Sequence, residues 1–176
     1  MPSFSAGEET SQVPLVSQQR VRYAETDPMG VVYYANYLVW FELGRVELLR
    51  SLGFDYRNLE AQHSCILPVV EATCRYRAPA RYDDIIHIYA EPTLLRGSVL
   101  KFAYRIERAP AEGSGQPPVL LAEGETVHVV CTPDMQKCPL PEKYAAAIRS
   151  VMPSKQAIKE DSTSTQVLSS IQDVSS

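Results

Sequence analysis

The sequence predicts an α+β domain in which one long central helix is wrapped by a curled antiparallel sheet of about five strands. Three observations lead there. A segment from Tyr34 to Leu52 is apolar and aromatic over most of a helical circumference. One strand-like segment precedes it and four follow, divided by turn residues. A helix that is apolar nearly all round must be covered on more than one side, and a sheet curling around it provides that cover.

Taken in order, Gln18–Tyr23 alternates with the period of a half-buried strand. Tyr34–Leu52 follows as a helix of about five turns, closed by Gly53 as a C-terminal glycine. At about 100° per residue, Asn36, Glu47, Arg50 and Ser51 share one narrow arc. Tyr34, Tyr37, Leu38, Val39, Trp40, Phe41, Val46, Leu49 and Leu52 occupy most of the rest. Gly44 costs about 1 kcal/mol against alanine, which a close approach of sheet backbone would explain. Tyr56–Gln62 has the length of a short helix. Ile66–Tyr76, Asp84–Leu94, Ser98–Arg108 and Leu120–Thr132 read as strands, with Ala109–Pro118 as a Gly/Pro loop between the last two.

The chain has 176 residues, 45% hydrophobic and 22% charged, within the range of one globular domain. Residues 1–17 are rich in Ser, Glu and Gln, and residues 151–176 in Ser and Thr; both read as disordered tails around a domain at 18–150. No apolar run reaches the roughly 20 residues of a membrane span. Met1–Gln19 lacks the basic-then-apolar order of a secretory signal, so the expectation is cytoplasmic. A net charge of −4 argues against a general nucleic-acid binder. Cys65, Cys74, Cys131 and Cys138 form no C-x-x-C and read as reduced thiols. His128 and Cys131 have a spacing seen in metal sites, but on a strand three residues apart means opposite faces, so no metal is expected.

The stretch Tyr23-Ala24-Glu25-Thr26-Asp27-Pro28-Met29-Gly30-Val31-Val32-Tyr33-Tyr34-Ala35-Asn36-Tyr37 carries the chemistry. It sets a carboxylate, Asp27, in an acidic turn ahead of a helix N-terminus, where backbone N–H groups lack intrahelical partners and the dipole favours negative charge. Those are two of the parts needed for acyl transfer. The stretch resembles the 4-hydroxybenzoyl-CoA thioesterase family of hotdog-fold enzymes, including the Tol–Pal-associated acyl-CoA thioesterases. The family pattern, roughly [DE]-x-D-x-x-G-[VI]-[VI]-[YW]-[YH]-x-x-Y, is matched at Glu25, Asp27, Gly30, Val31, Val32, Tyr33, Tyr34 and Tyr37. The likeness continues through Phe41–Leu49 and Tyr76–Asp84, and covers about residues 19–148.

The resemblance implies that Asp27 is the nucleophile or general base and that the backbone N–H of Tyr34 polarises a thioester carbonyl. Left to itself, Asp27 is as well explained as a cap for the turn before Pro28. Tyr33, Tyr34, Tyr37 and Trp40 are candidates for an acyl pocket, although aromatics at helical spacing more often form a core. Glu42 and Arg45 lie three apart in the apolar arc and read as a structural ion pair at a subunit interface; the alternative makes Glu42 the working carboxylate. Arg96, Gly97 and Ser98 form a turn that the resemblance places near the nucleotide end of CoA, with Arg75, Arg77 and Arg81 as further positive charge.

The function expected is hydrolysis of an acyl-CoA, or an acyl-carrier-protein thioester, to the free acid. No cofactor is needed beyond the CoA of the substrate. The resemblance also implies a homodimer or homotetramer with its active sites at the dimer interface. Two rivals stay open. One is a hotdog hydratase or dehydratase, although His63, His87 and His128 all lie outside the motif and Tyr34 stands where many relatives have His. The other is a non-catalytic acyl-CoA-binding module, which would have no use for Asp27.

Overall fold

The structure, a computed structural model, describes residues 15–54, 59, 61 and 63–153. Strand β1 (Leu15–Arg20) leads through a 3-10 turn (Tyr23–Glu25) to helix α1 (Asn36–Ser51). Strands β2 (Val69–Tyr76), β3 (Ile85–Arg96), β4 (Val99–Arg108) and β5 (Val119–Val129) follow, and helix α2 (Glu142–Ser150) closes the described chain. The five strands form one antiparallel sheet in the order β1-β3-β4-β5-β2.

The sheet's inner face follows the period of two. Ile86, Ile88 and Ala90 on β3 and Leu100, Phe102, Tyr104 and Ile106 on β4 are buried, and their neighbours are not. On β5 a bulge interrupts the alternation. Ile106 pairs with Ala122 and Glu107 with Leu120, so Leu121 is the extra residue and sits buried beside Ala122. Helix α1 presses Tyr37, Trp40, Phe41, Gly44, Leu48 and Leu49 into this face. Phe41 stacks on Tyr104 at 4.5 Å. It lies so close to β5 that a Cβ on Gly124 would meet the Phe41 ring at 2.5 Å, besides the Thr73 carbonyl.

Several sequence expectations move. β1 begins at Leu15, so residues 15–17 belong to the strand rather than to the tail; residues 1–14 and 154–176 lie outside the described residues. The strand ends at Arg20 because the 3-10 turn takes Tyr23. Most of the short helix expected at Tyr56–Gln62 also lies outside the described residues. α1 is buried on one side only: Leu38, Val39 and Glu42 are exposed. Helix α2 was not expected. Its signals are Glu142 in the first turn, Arg149 in the last, and Tyr144, Ala145 and Ile148 buried at helical spacing.

His128 and Cys131 are both buried rather than on opposite faces, because β5 ends at Val129 and the strand period stops with it. The four cysteines are free thiols, Cys65 and Cys138 having their sulfurs 3.7 Å apart.

Candidate active site

The site is built outward from Glu25. The residue is 5% exposed, and its side chain accepts three hydrogen bonds: from the Arg22 backbone N–H at 2.7 Å, from Arg22 Nη2 at 3.1 Å and from Trp40 Nε1 at 3.1 Å. Burial alone would raise this carboxyl's pKa, but the Arg22 and Trp40 contacts outweigh it and hold the pKa below its ordinary value. The Glu25 carbonyl accepts from the Tyr33 N–H at 2.9 Å and from Asn36 Nδ2 at 2.8 Å. One residue therefore ties the 3-10 turn, the segment before the helix and the helix itself together.

Asp27 sits in the tight turn that follows. Its N–H donates to the Val31 carbonyl and its carbonyl accepts from the Gly30 N–H, each at 2.9 Å. Gly30 has φ of 72°, a conformation that glycine adopts without a Cβ penalty. Asp27 Oδ1 accepts the Met29 N–H at 2.8 Å, and Oδ2 has no hydrogen-bond partner among the described residues. A bridge between Thr26 and Val32 folds the chain back, and the Val32 N–H anchors to the Ala80 carbonyl at 2.8 Å. The carboxylate thus stands half-exposed on a fixed turn with one oxygen held and one open.

Helix α1 starts at Asn36, two residues later than the sequence reading put it, with Tyr34 and Ala35 in a turn at its mouth. The Tyr33 carbonyl accepts the Asn36 N–H at 2.9 Å, and the Tyr34 carbonyl accepts the Tyr76 hydroxyl at 3.0 Å. The N–H groups of Tyr34 and Ala35 have no partner among the described residues. The Tyr33 and Tyr34 rings lie 4.5 Å apart. The Tyr33 phenol is held above its ordinary pKa, foremost by its hydrogen bond with Tyr34 and, more weakly, by the charge of Asp27. The Tyr33 phenol thus lies within electrostatic reach of Asp27. Tyr34 is 61% exposed.

Other sequence candidates are placed differently. Tyr37 belongs to the core: it is buried, its hydroxyl accepts the Ala80 N–H at 3.0 Å, and it packs against Trp40 and edge-on against Tyr76. Trp40 is likewise core, with its N–H committed to Glu25. No ion pair joins Glu42 to Arg45. Glu42 faces out, whereas Arg45 reaches inward to within 3.4 Å of His128 Nε2. Three residues on a helix turn the side chain by about 60°, enough to separate them across the boundary of the buried face.

Arg96, Gly97 and Ser98 form the β3–β4 hairpin turn, with Gly97 at φ 58°, and Arg96 is exposed. Arg75 and Arg77 are exposed on or just after β2; Arg77 pairs with Glu123 at 3.0 Å, and Arg81 donates to the Gly30 carbonyl at 3.3 Å.

None of the histidines enters the site. His63 is exposed and packs edge-on against Tyr144. His87 lies half-buried on β3, and its chain neighbours Ile86 and Ile88 are the ones that face the core. His128 is fully buried in a polar chain: Nδ1 donates to the Leu67 carbonyl at 3.2 Å, Nε2 accepts from Thr126 Oγ1 at 2.8 Å, and the Tyr104 hydroxyl donates to that same oxygen at 2.7 Å. Burial first, then the Arg45 charge, pushes the His128 pKa down to about 4.

Sequence reasoning missed two residues of the site. Glu25 appears there only as a motif position, and nothing in its neighbours announces a buried anion. Tyr76 is an ordinary strand aromatic in the sequence, and its contact with Tyr34 is created by the sheet. Among the described residues no group of three or more His, Cys, Asp or Glu is placed to hold a metal ion.

The chain matches known proteins over this same region. The sequence profile of the thioesterase-like superfamily matches residues 21–148. The acyl-CoA thioester hydrolase YbgC of Escherichia coli is 37% identical over 132 residues, 74% of this chain and 92% of that protein. The putative acyl-CoA thioesterase YneP of Bacillus subtilis is 47% identical over 73 residues, a match that spans 40% of this chain and 52% of that protein. The crystal structure of a 1,4-dihydroxy-2-naphthoyl-CoA thioesterase from Synechocystis is 28% identical and superposes with a TM-score of 0.67 over 77% of this chain and 95% of the other.

Proposed function

The chain belongs to the thioesterase-like superfamily, and from that premise we infer that it is a hotdog-fold acyl-CoA thioester hydrolase with Asp27 as its working carboxylate. The observation that carries the assignment is the pairing, within one turn-and-helix unit, of a half-exposed carboxylate with an open oxygen and a helix mouth with two unpartnered N–H groups.

The chemistry follows from that pairing. A thioester carbonyl set against the Tyr34 N–H gains a donor for the negative charge that develops on its oxygen, with the positive end of the α1 dipole behind it. Asp27 Oδ2 either attacks the carbonyl carbon or takes a proton from the water that does. The tetrahedral intermediate collapses by breaking the carbon–sulfur bond. CoA leaves as a thiolate, a good enough leaving group to need no strong general acid. After covalent attack water opens the aspartyl anhydride to the free acid, and after general-base attack Asp27 gives its proton to the thiolate or to solvent. The Met29 N–H keeps the carboxylate in one orientation throughout. Tyr33 and Tyr34 offer their rings to the acyl group, and Arg96 of the β3–β4 turn its charge to the CoA phosphates.

A second copy of the chain completes the site in this reading. β2 is a sheet edge exposed on both faces, with Val70 58% exposed, and its row of backbone donors and acceptors is open for pairing. Exposed Leu38 and Val39 at the start of α1 add apolar surface.

The test is a thiol-release assay of the purified chain against a panel of acyl-CoAs. The panel holds short and long fatty acyl groups and aromatic ones, including the 1,4-dihydroxy-2-naphthoyl-CoA named for the Synechocystis protein. Turnover abolished by Asp27→Asn supports the reading. Absence of thiol release across the panel sinks it. Label found in the Asp27 carboxylate after a single turnover in ¹⁸O-water then establishes covalent attack, since general-base catalysis leaves that carboxylate unlabelled.

A further inference from the structure

We propose that Tyr76 is a positioning residue for the reaction: its hydroxyl, reaching from the edge strand β2, braces the Tyr34–Ala35 peptide and, through Tyr34, the adjoining peptide that presents the oxyanion-binding N–H at the mouth of α1. The proposal rests on the reading of the Tyr34 N–H as that donor.

The backbone around Tyr34 is held at almost every polar atom. The Tyr33 N–H goes to the Glu25 carbonyl, and the Tyr33 carbonyl takes the Asn36 N–H. The Tyr34 carbonyl has a weak intrahelical partner, the Tyr37 N–H at 3.4 Å, and a better one from outside, the Tyr76 hydroxyl at 3.0 Å. The groups left open are the N–H groups of Tyr34 and Ala35. A hydrogen bond accepted at the Tyr34 carbonyl acts on both. It fixes the rotation of the 34–35 peptide and so the direction of the Ala35 N–H. Through the Tyr34 φ and ψ it also limits the 33–34 peptide that carries the Tyr34 N–H. Without it, the turn before Asn36 is closed on that side only by the 3.4 Å bond.

Tyr76 is itself braced. Its ring packs edge-on against buried Tyr37 at 5.1 Å between centroids, and Tyr37 is pinned by the Ala80 N–H. Partial burial of the phenol and the neighbouring Cys74 thiol push its pKa up to about 12, so it stays a donor across the working pH range. The strand offering it is also the sheet edge that the proposed second copy would cover, so the donor geometry and the assembly surface share one element.

Tyr76→Phe removes only the hydroxyl and keeps the ring against Tyr37. A misplacement of about 1 Å at a reacting centre costs up to about a hundredfold, so a partial loosening is expected to lower kcat about tenfold. KM, the affinity for a thioether CoA analogue lacking the carbonyl, and the melting temperature should all stay at wild-type values. The hydroxyl acts through the Tyr34 backbone on the donor that meets the transition-state oxygen, so its effect falls on kcat rather than on ground-state binding. A second variant guards against a purely structural effect: a fluorinated tyrosine at 76 keeps the fold but ionises at lower pH, after which it accepts and no longer donates. It is expected to introduce a new descending limb in the kcat–pH profile. Unchanged kcat in Tyr76→Phe, a loss confined to KM, or no new limb with the fluorinated residue overturns the proposal while leaving the thioesterase reading standing. A wild-type chain that releases no CoA from any acyl-CoA overturns both.

Discussion

The indole N–H of Trp40 donates to the carboxylate of Glu25 at 3.1 Å, joining the buried face of the central helix to the turn that precedes it. The same carboxylate holds Arg22, while the Glu25 backbone carbonyl holds Tyr33 and Asn36, so a buried anion fixes the residue from which the turn before the helix is hung.

Glu25→Ala leaves the Trp40 N–H and the Arg22 N–H without their acceptor. Hydrogen bonds to charged groups are worth about 1.5–3 kcal/mol, so a loss of about 3 kcal/mol in unfolding free energy is expected by urea denaturation. The wild-type contribution also depends on pH. The folded carboxyl has a pKa below its unfolded value, so its stabilisation is present above the unfolded value and is lost as pH falls through the lower, folded one. Stability that does not change in Glu25→Ala would contradict this role.

Asp27→Asn keeps an oxygen for the Met29 N–H but removes the charge. The expected result is a fall in kcat of at least about a hundredfold with little change in melting temperature. Glu42→Ala is the companion. Glu42 is exposed and has no hydrogen bond or ion pair among the described residues, so stability should stay within about 0.5 kcal/mol and turnover should persist. The opposite pair of results would make Glu42 the carboxylate.

His128 gives the fold a second acid sensitivity. Its folded pKa of about 4 lies below the unfolded value, so unfolding takes up a proton between those limits and stability falls as pH falls through them. Going from pH 7 to pH 5 should cost on the order of 2 kcal/mol through this group. His128→Asn, which does not titrate, should show a shallower dependence of unfolding free energy on pH over that interval. An equally steep one would place the sensitivity elsewhere.

Assembly is checked at the β2 edge. Light scattering should give at least twice the 19.6 kDa chain mass. Val70→Lys puts a charge at the exposed start of this edge strand and should shift the protein toward monomer with a parallel loss of turnover. A fully active monomer would show that each chain holds a complete site.

The sequence carried the architecture because periodicity survives without knowledge of contacts. The alternation of Ile86, Ile88 and Ala90 and the closely spaced apolar residues of α1 were visible directly. The Asp27 turn was visible because its residue types are restrictive. What was not legible depended on which side of an element the sheet covers. Tyr37 looked like a pocket residue but faces inward, and Glu42 and Arg45 looked paired but straddle the edge of the buried face. Leu38 and Val39 looked buried, yet one chain leaves them uncovered. The polar chain from Tyr104 through Thr126 to His128 was hidden because each member reads as an ordinary strand residue, and only the register brings them together.

Gly124 acts as a spacer of zero thickness. The Phe41 ring rests where any side chain at 124 would project, so this glycine sets the height at which α1 rides above β5. Phe41 is five positions into the helix from Asn36, roughly 7–8 Å at the α-helical rise, so the helix mouth sits at the end of a short lever. Raising the helix at Phe41 tilts that mouth and swings the Tyr34 amide relative to Asp27. A strand position outside the Asp27 turn thereby holds the alignment of the two groups proposed to act on the thioester.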